Sequence, residues 1–402
     1  MVNAGGIRPS SDPGSIMRAW SGGNARGKLG MQSIQKRILY VINSSVFFVS
    51  HRLILAEAAR AAGYEVAVAC PMGGGVAAIR AAGFTWHEIP LDAGGMNFLR
   101  DLVTVRVLVR LFRTVQPDIV HNVTTKPVIY GTFAARLAGV PRVINAISGL
   151  GYLFSGGRRL TRWLGVTLYK LFMRHPEMRV ILQNAEDVEL FRRYGLAEEK
   201  AIRLIRGSGV DTDAFTPRPC PPGPPMVLQT SRMLGDKGVW EFIEAARILK
   251  PRWPEVRFVL AGPLYPDNPS ALTANQLRNK ERDGGMTWLG HVEDVAALLP
   301  QATVFCLASY REGLPKSLIE AGACGLPLIT TDTSGCKEVV TNGINGLLVP
   351  VADGVALANA IEKLLRDPNM ARGLGACARD RVVRDFSLKT ILSQQIALYS
   401  EP

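Results

Sequence analysis

Two successive doubly wound α/β domains facing a common cleft are the fold class this sequence predicts, and three observations predict it. Apolar runs of strand length alternate with amphipathic helical stretches from residue 37 onward. The alternation pauses at one proline-rich loop and then restarts, and a chain of 402 residues fits two cores better than one.

Each element follows from its residues. Met1 to Gln32 is rich in Gly, Ser and Arg and lacks apolar periodicity, so residues 1–33 are expected to be a disordered extension, with Met17 or Met31 as alternative starts. "RILYVIN" reads as a strand, "HRLILAEAARAAG" as a helix and "EVAVAC" as a second strand. A strand, a helix and a strand within so short a stretch form a βαβ unit and imply parallel pairing. The pattern continues through "FTWHEI", a helix around 98–115, "DIVHNV", a helix around 128–138, "RVINAI" and "RVILQN", giving a first domain over 34–205. "TPRPCPPGPP" at 216–225 is neither helix nor central strand, because proline lacks the amide proton both need. After it come "MVLQTS", a helix from about 238, "VRFVLAG", "MTWLGH", "TVFCLAS", a helix after Pro315 and "LPLITT", a second domain over 206–378. The last segment, 379–402, contains "FSLKTILSQQIALY", whose apolar spacing permits a helix returning to the first domain.

Composition narrows the function classes. The chain has 47 Lys and Arg against 34 Asp and Glu, a net charge of +13 that favours anionic partners. No zinc-finger spacing, aromatic-basic RNA motif or basic block accompanies it, so nucleic acid is not expected. The six cysteines show no metal-ligand or disulfide spacing, which reads as a reducing, intracellular protein without a metal site. No apolar run is long enough to span a membrane, so the protein is read as soluble or peripheral.

The stretch "REGLPKSLIEAGACGLPLITTD" carries the first candidate site. Pro315 suits the first helical position, and the free amide groups of Lys316 and Ser317 then point, with positive dipole character, at the mouth of the cleft. Glu312 precedes this phosphate-sized site, and Glu320 lies about 7.5 Å beyond Pro315 along the helix axis. A nucleoside diphosphate sugar has the same order: a hydroxylated sugar, two phosphates, a hydroxylated ribose. A dipole-complementing Glu312 and a solvated Glu320 remain the plainer alternative. "SRMLGDKG" adds Arg232 and Lys237 in a loop entering a helix, two cations suited to clamp a diphosphate and stabilise charge on a departing one.

Arg232 and Lys237 with four residues between them, then Glu312 and Glu320 with seven between them, together with "EGLPKSLIEAGACGLPLI" and "NGINGLLVP", resemble the family 4 retaining glycosyltransferases of GT-B fold. The likeness covers about residues 36–400. "HRLILAEAARAAGYEV", "PDIVHNVTTKP" and "INAISGLGYLFS" further resemble the bacterial subgroup that extends polyprenyl-diphosphate-linked sugars, such as the N-acetylgalactosaminyltransferases acting on bacillosaminyl-diphospho-undecaprenol.

The resemblance implies roles. Arg232 and Lys237 would hold the donor diphosphate, Glu320 the ribose hydroxyls, and Glu312 the donor sugar near the reacting carbon. Lys316 and Ser317 would add phosphate contacts, and backbone near Val292 would read the base. His121 would be a cleft histidine touching donor sugar and acceptor, while His51 and Lys126 would stand on the acceptor side. The reaction implied is transfer of an N-acetylhexosamine or hexose from a UDP-sugar to a lipid-linked saccharide with retention, the departing diphosphate helping to take the acceptor proton. No metal and no cofactor beyond the donor are expected. Two departures stand out: His121-Asn122-Val123 where members often have His-x-His, and Ser334-Gly335 where they often have Gly-Gly. A UDP-sugar 2-epimerase on the same scaffold and a non-catalytic basic protein binding membrane or nucleic acid remain open alternatives.

A last segment bears on location. In "GRRLTRWLGVTLYKLFMRH", residues 157–175, Leu160, Trp163, Leu164, Leu168, Leu171 and Phe172 fall on one helical face, with Arg158, Arg159, Arg162, Lys170 and Arg174 on its flanks and back. This is the pattern of an interfacial helix, and equally of a helix packed on its own sheet. The expectation carried forward is docking on the anionic inner face of the cytoplasmic membrane through Arg158, Arg159, Arg162 and Trp163.

Overall fold

The structure, a computed structural model, describes residues 35–91, 98–147, 166–167, 169–219, 222–266 and 268–401, with the side chains of 98 and 99 also left aside. The N-terminal extension and Arg158, Arg159, Arg162 and Trp163 lie outside the described residues.

The first domain is built from β1 (Arg37–Ile42), α1 (Ser45–His51), α2 (Leu53–Ala61), β2 (Glu65–Cys70), α3 (Val76–Ala81), β3 (Thr85–Glu88), α4 (Phe98–Val115), β4 (Ile119–Val123), α5 (Thr125–Ala138), β5 (Arg142–Ala146), β6 (Met178–Leu182), α6 (Ala185–Tyr194) and β7 (Ile202–Leu204). Its strands form one sheet in the order β3-β2-β1-β4-β5-β6-β7, every pair parallel. The second domain contains β8 (Met226–Thr230), α7 (Val239–Leu249), β9 (Arg257–Ala261), α8 (Ala274–Arg282), β10 (Thr287–Trp288), α9 (Val295–Leu298), β11 (Val304–Leu307), α10 (Lys316–Ala323), β12 (Leu328–Thr331), α11 (Ser334–Val339), β13 (Gly346–Val349), α12 (Gly354–Arg366) and α13 (Pro368–Asp385). Its six-stranded parallel sheet runs β10-β9-β8-β11-β12-β13. In both sheets the first strand of the domain sits inside and the chain winds outward from it in both directions, the topology that opens a ligand crevice at the strands' carboxyl ends.

Strand periodicity explains the two-sided cores. Alternate residues of β1 go to opposite faces. Ile38, Tyr40 and Ile42 join Val66, Val68 and helix α2 on one side, while Leu39 and Val41 join Leu108, Phe112 and Ala134 of α4 and α5 on the other. Both faces are covered, so the strands read as continuous apolar runs.

One helix belongs to the other domain's core. After α13 the chain crosses over, and α14 (Leu388–Ser400) packs Leu388, Ile391, Leu392, Ile396 and Tyr399 into the cluster that contains β1 and α2. Ser387 starts it, its hydroxyl accepting from the Thr390 amide at 3.3 Å. The sequence pattern puts the returning segment at 379–402, whereas α13 is unbroken to Asp385, with Ala378 and Val382 buried in the second domain. The difference is physical: Asp367 caps α13 and Pro368 occupies its first turn, so 379 falls inside an established helix. Ile391 is fully buried, and Ile391→Ala would cost roughly 2–5 kcal/mol and loosen this crossing.

Candidate active site

Two loops at the carboxyl end of the second sheet build the site. The first leaves β8 and passes through a short turn, Gly235–Lys237, into α7. The second leaves β11 and enters α10. Gly238 has φ of +69°, and a Cβ there would sit 2.1 Å from the Ala308 carbonyl oxygen, so only glycine lets the loops approach this closely.

Hydrogen bonds lock the approach. The Tyr310 amide and the Ser309 hydroxyl donate to the Asp236 carbonyl at 2.8 and 3.1 Å. The Gln229 side-chain amide donates to the Lys237 carbonyl at 2.9 Å. The Tyr310 hydroxyl donates to Glu241 Oε1 at 2.5 Å; that carboxylate, with burial behind it, pushes the phenol up to about 12. The result is an ion pair between Lys237 Nζ and Glu312 Oε1 at 2.6 Å, both side chains mostly shielded from solvent.

α10 supplies the next part. Pro315 is the N-cap, with extended backbone, rather than the first helical residue, and the helix ends at Ala323. Lys316 and Ser317 are therefore the first two helical residues, whose amides lack carbonyl partners within the helix. Lys316 Nζ lies 3.5 Å from Glu320 Oε1. Burial lifts the Glu320 carboxyl above the usual carboxylate range, with Lys316 pulling it partly back. Val292, half-buried in the loop before α9, packs on the apolar cluster behind α10. Arg232 stays exposed, its guanidinium 4.7 Å from the centre of the Tyr265 ring.

From the first domain, His51 lies within electrostatic reach of Lys316. Burial, followed by the nearby positive charges of Lys316 and Arg52, lowers its imidazole to about 4, so it is neutral at pH 7. Its Nδ1 is 2.7 Å from the Ser50 hydroxyl and its ring stacks on Phe47 at 4.1 Å. Lys126 lies 3.6 Å from Asp101.

His121 is a correction. It was expected in the cleft, yet it is fully buried in the centre of the first sheet. Its ring stacks on Tyr40 at 4.9 Å and its Nδ1 meets the Tyr399 hydroxyl of α14 at 2.8 Å. Burial, aided by Arg52, keeps it neutral far below the usual imidazole range. β4 is paired on both sides, by β1 and β5, and α14 covers the face on which His121 stands, so the side chain has no route to the cleft. Of the residues singled out from sequence, Lys237, Glu312, Lys316, Ser317, Glu320 and His51 gather around one helix terminus. Arg232 lies over Tyr265 and Val292 packs on the apolar cluster behind α10, while His121 is buried in the first sheet and Lys126 pairs with Asp101.

Sequence reasoning missed Tyr310, Glu241, Asn184 and Glu338. The two domains touch through the last two: Asn184 reaches Gly313 and Ser334, and Glu338 reaches Ala185 and Arg206. "QNAED" contains a capping signal at Asn184, but nothing local shows what the cap touches across the cleft.

The chain is similar to known proteins along most of its length. Residues 37–184 match the family model "Glycosyl transferase 4-like" and residues 212–381 match "Glycosyl transferases group 1". It is 30% identical over 309 residues, 73% of this chain and 79% of the relative, to N,N'-diacetylbacillosaminyl-diphospho-undecaprenol alpha-1,3-N-acetylgalactosaminyltransferase of Campylobacter jejuni. It is 25% identical over 313 residues, 75% of this chain and 79% of the relative, to UDP-Gal:alpha-D-GlcNAc-diphosphoundecaprenol alpha-1,3-galactosyltransferase of Escherichia coli. Among solved structures, Anabaena Alr3699/HepE in complex with UDP superposes with a TM-score of 0.73 over 90% of this chain and 99% of that one; at 19% identity this likeness speaks to the fold. Two parallel sheets facing a cleft, family matches in both and a relative at 30% identity lead to one conclusion: the chain belongs to the group 1, family 4-like glycosyltransferases and has the GT-B fold.

Proposed function

We propose that this glycosyltransferase moves a sugar, an N-acetylhexosamine or a hexose, from a UDP-sugar to a polyprenyl-diphosphate-linked saccharide in surface polysaccharide or glycoconjugate synthesis, with retention at the anomeric carbon. One observation carries the reading: the Lys237–Glu312 pair, the α10 terminus at Lys316 and Ser317, and Glu320 lie in linear order, the order of sugar, diphosphate and ribose in the donor. The relatives from C. jejuni and E. coli, whose names specify diphospho-undecaprenol acceptors, support the acceptor class.

On this reading Lys237, the α10 amides and Arg232 hold the diphosphate, and Arg232 swings in from Tyr265 to do so. Charge builds on the departing diphosphate as the glycosidic bond stretches, and preorganised donors of this kind lower the barrier most. Glu312 accepts hydrogen bonds from sugar hydroxyls and faces the cationic anomeric carbon; no covalent intermediate on it is invoked. The acceptor hydroxyl attacks from the face the diphosphate leaves, and a diphosphate oxygen takes its proton. Neutral His51 accepts a hydrogen bond on the acceptor side, with Lys126 near the acceptor phosphate. Protein cations and amides neutralise the diphosphate, so the scheme calls for no metal and no cofactor.

The acceptor is a lipid, which brings the membrane into the reading. In the described part of 157–175, Tyr169 and Met173 are buried against α6, while Leu171 is 56% exposed. Beside it lies a groove of about 610 Å³ whose lining includes Arg136, Lys170 and Arg174 around Met173 and Met178, with Lys200 paired to Glu198 on the same rim. Apolar floor with cationic rim suits anionic lipid headgroups at the inner face of the cytoplasmic membrane, and nucleic acid is not a partner on this reading.

The paired glutamates test the order. Glu320→Ala should weaken UDP binding in calorimetry, whereas Glu312→Ala should leave UDP binding nearly intact and impair transfer. Equal loss of UDP affinity in both variants would mean that the order is wrong.

A further inference from the structure

We infer that Asn184 is a positioning residue for transfer: it ties the loop carrying Glu312 in the second domain to the first domain, so that apposition of the domains adds to the hold that Lys237 and α11 already have on that carboxylate. The inference rests on the assignment of Glu312 to the donor-sugar position.

Asn184 lies two residues beyond β6 and caps α6, and it is 2% exposed. Its side chain has two donor and two acceptor positions. Two of these serve its own helix: Oδ1 accepts from the Asp187 amide at 2.7 Å and Nδ2 donates to Asp187 Oδ2 at 2.9 Å. The other two cross the domain boundary: Nδ2 donates to the Gly313 carbonyl at 3.2 Å, and Oδ1 accepts from the Ser334 hydroxyl at 3.3 Å. A cap needs only the first of the four bonds. The crossing bonds reach the carbonyl of Gly313, the residue after Glu312, and the residue that opens α11.

The loop and α11 are themselves fitted together. A Cβ at Gly335 would stand 2.4 Å from the Glu312 carbonyl oxygen and 2.5 Å from that of Gly313, so the loop backbone rests directly on the start of α11. Asn184 thus grips two parts of one unit, and Glu312 leaves that unit to meet Lys237 at 2.6 Å. A second tie lies alongside: the Glu338 carboxylate of α11 accepts from the Ala185 amide at 2.6 Å and from Arg206 Nε at 3.0 Å. Both domains therefore contribute to placing Glu312, and the Ser334 hydroxyl supplies one of the crossing bonds.

The test uses Asn184→Ser, which keeps a helix cap yet is too short for the crossing bonds, and Ser334→Ala, which acts from the other domain and leaves the cap untouched. Transfer rate, UDP affinity and amide hydrogen exchange of residues 309–315 are measured in both variants and in the double variant. The expected result is a kcat lower by about tenfold in Asn184→Ser with UDP affinity within about twofold, a smaller loss in Ser334→Ala, and a double variant no worse than Asn184→Ser alone, since the two residues share a bond. Exchange at 309–315 should quicken in each. Unchanged kcat, strictly additive losses, or UDP affinity falling in step with kcat would overturn the inference. Should Asn184→Ser not fold, Ser334→Ala still decides it through exchange and kcat. Exchange needs no substrate, so a donor assignment that fails leaves the tie separately scored.

Discussion

Lys237 Nζ and Glu312 Oε1, from two different loops of the second domain, stand 2.6 Å apart at the head of the interdomain cleft. In the free protein each neutralises the other, which is why both charges are tolerated in a shielded place. A donor diphosphate would compete for Lys237 and free Glu312 for the sugar.

The first prediction follows from that exchange. Lys237→Ala should slow the chemical step by about 2–4 kcal/mol, the scale of losing a charged partner of the transition state. Arg232→Ala should show the same loss only if the side chain leaves Tyr265 for the diphosphate. Single-turnover rates with saturating donor check both, and wild-type rates in either variant would remove that residue from the clamp.

Glu320 gives a pH dependence. Burial raises its carboxyl above the usual carboxylate range, with Lys316 pulling it partly back, so folding disfavours the ionised form relative to the unfolded chain. The stability this contributes is present below the unfolded-state pKa and is lost as pH rises through the folded one. Glu320→Gln should therefore raise the Tm of the free protein at neutral pH. On the proposed ribose role, the hydroxyls would donate to the ionised form, so wild-type UDP affinity should fall as pH drops through that raised pKa, and Glu320→Gln should bind weakly without this slope. Calorimetry from pH 5 upward separates the two.

His51 titrates in the opposite sense. With the ring depressed to about 4 by burial, Lys316 and Arg52, the unfolded chain binds its proton first. The stability tied to its neutral form is present above about pH 6.5 and lost as pH falls toward about 4. The His51 ring signals in NMR should stay at their neutral positions at pH 6. Titration near 6.5 would mean that the ring is solvated and out of electrostatic reach of Lys316.

Membrane docking is tested by charge reversal. Replacing Arg158, Arg159 and Arg162 with Glu, or Lys170 and Arg174 with Glu, should abolish sedimentation with anionic liposomes, at about 1 kcal/mol per cation and less in high salt. Transfer to a lipid-linked acceptor should slow while UDP binding stays unchanged. Undiminished sedimentation in a folded variant would assign these residues to packing.

The strands and the order of the two domains were legible because parallel strands buried on both faces read as apolar runs. β7 and β13 were not, being a three-residue edge strand and one that opens on glycine. The same two-sided burial misled the reading of His121: in a strand covered on both faces, position along the chain does not say whether a side chain meets a cleft or a helix. α14, far away in sequence, decided it through Tyr399. The position of Lys237, Glu312 and Glu320 about two loop-to-helix junctions was legible because such junctions are signalled locally by Gly238 and Pro315. Asn184 was legible only as a cap, since its other two bonds run to residues 129 and 150 positions away.

The most direct test of the account is incubation of the purified protein with labelled UDP-sugars, with and without a polyprenyl-diphosphate-linked saccharide. The account predicts release of UDP that depends on the lipid acceptor, label transferred to it with the donor's anomeric configuration, and loss of both in Lys237→Ala. Interconversion of UDP-sugars without an acceptor, or transfer with inverted configuration, would contradict it.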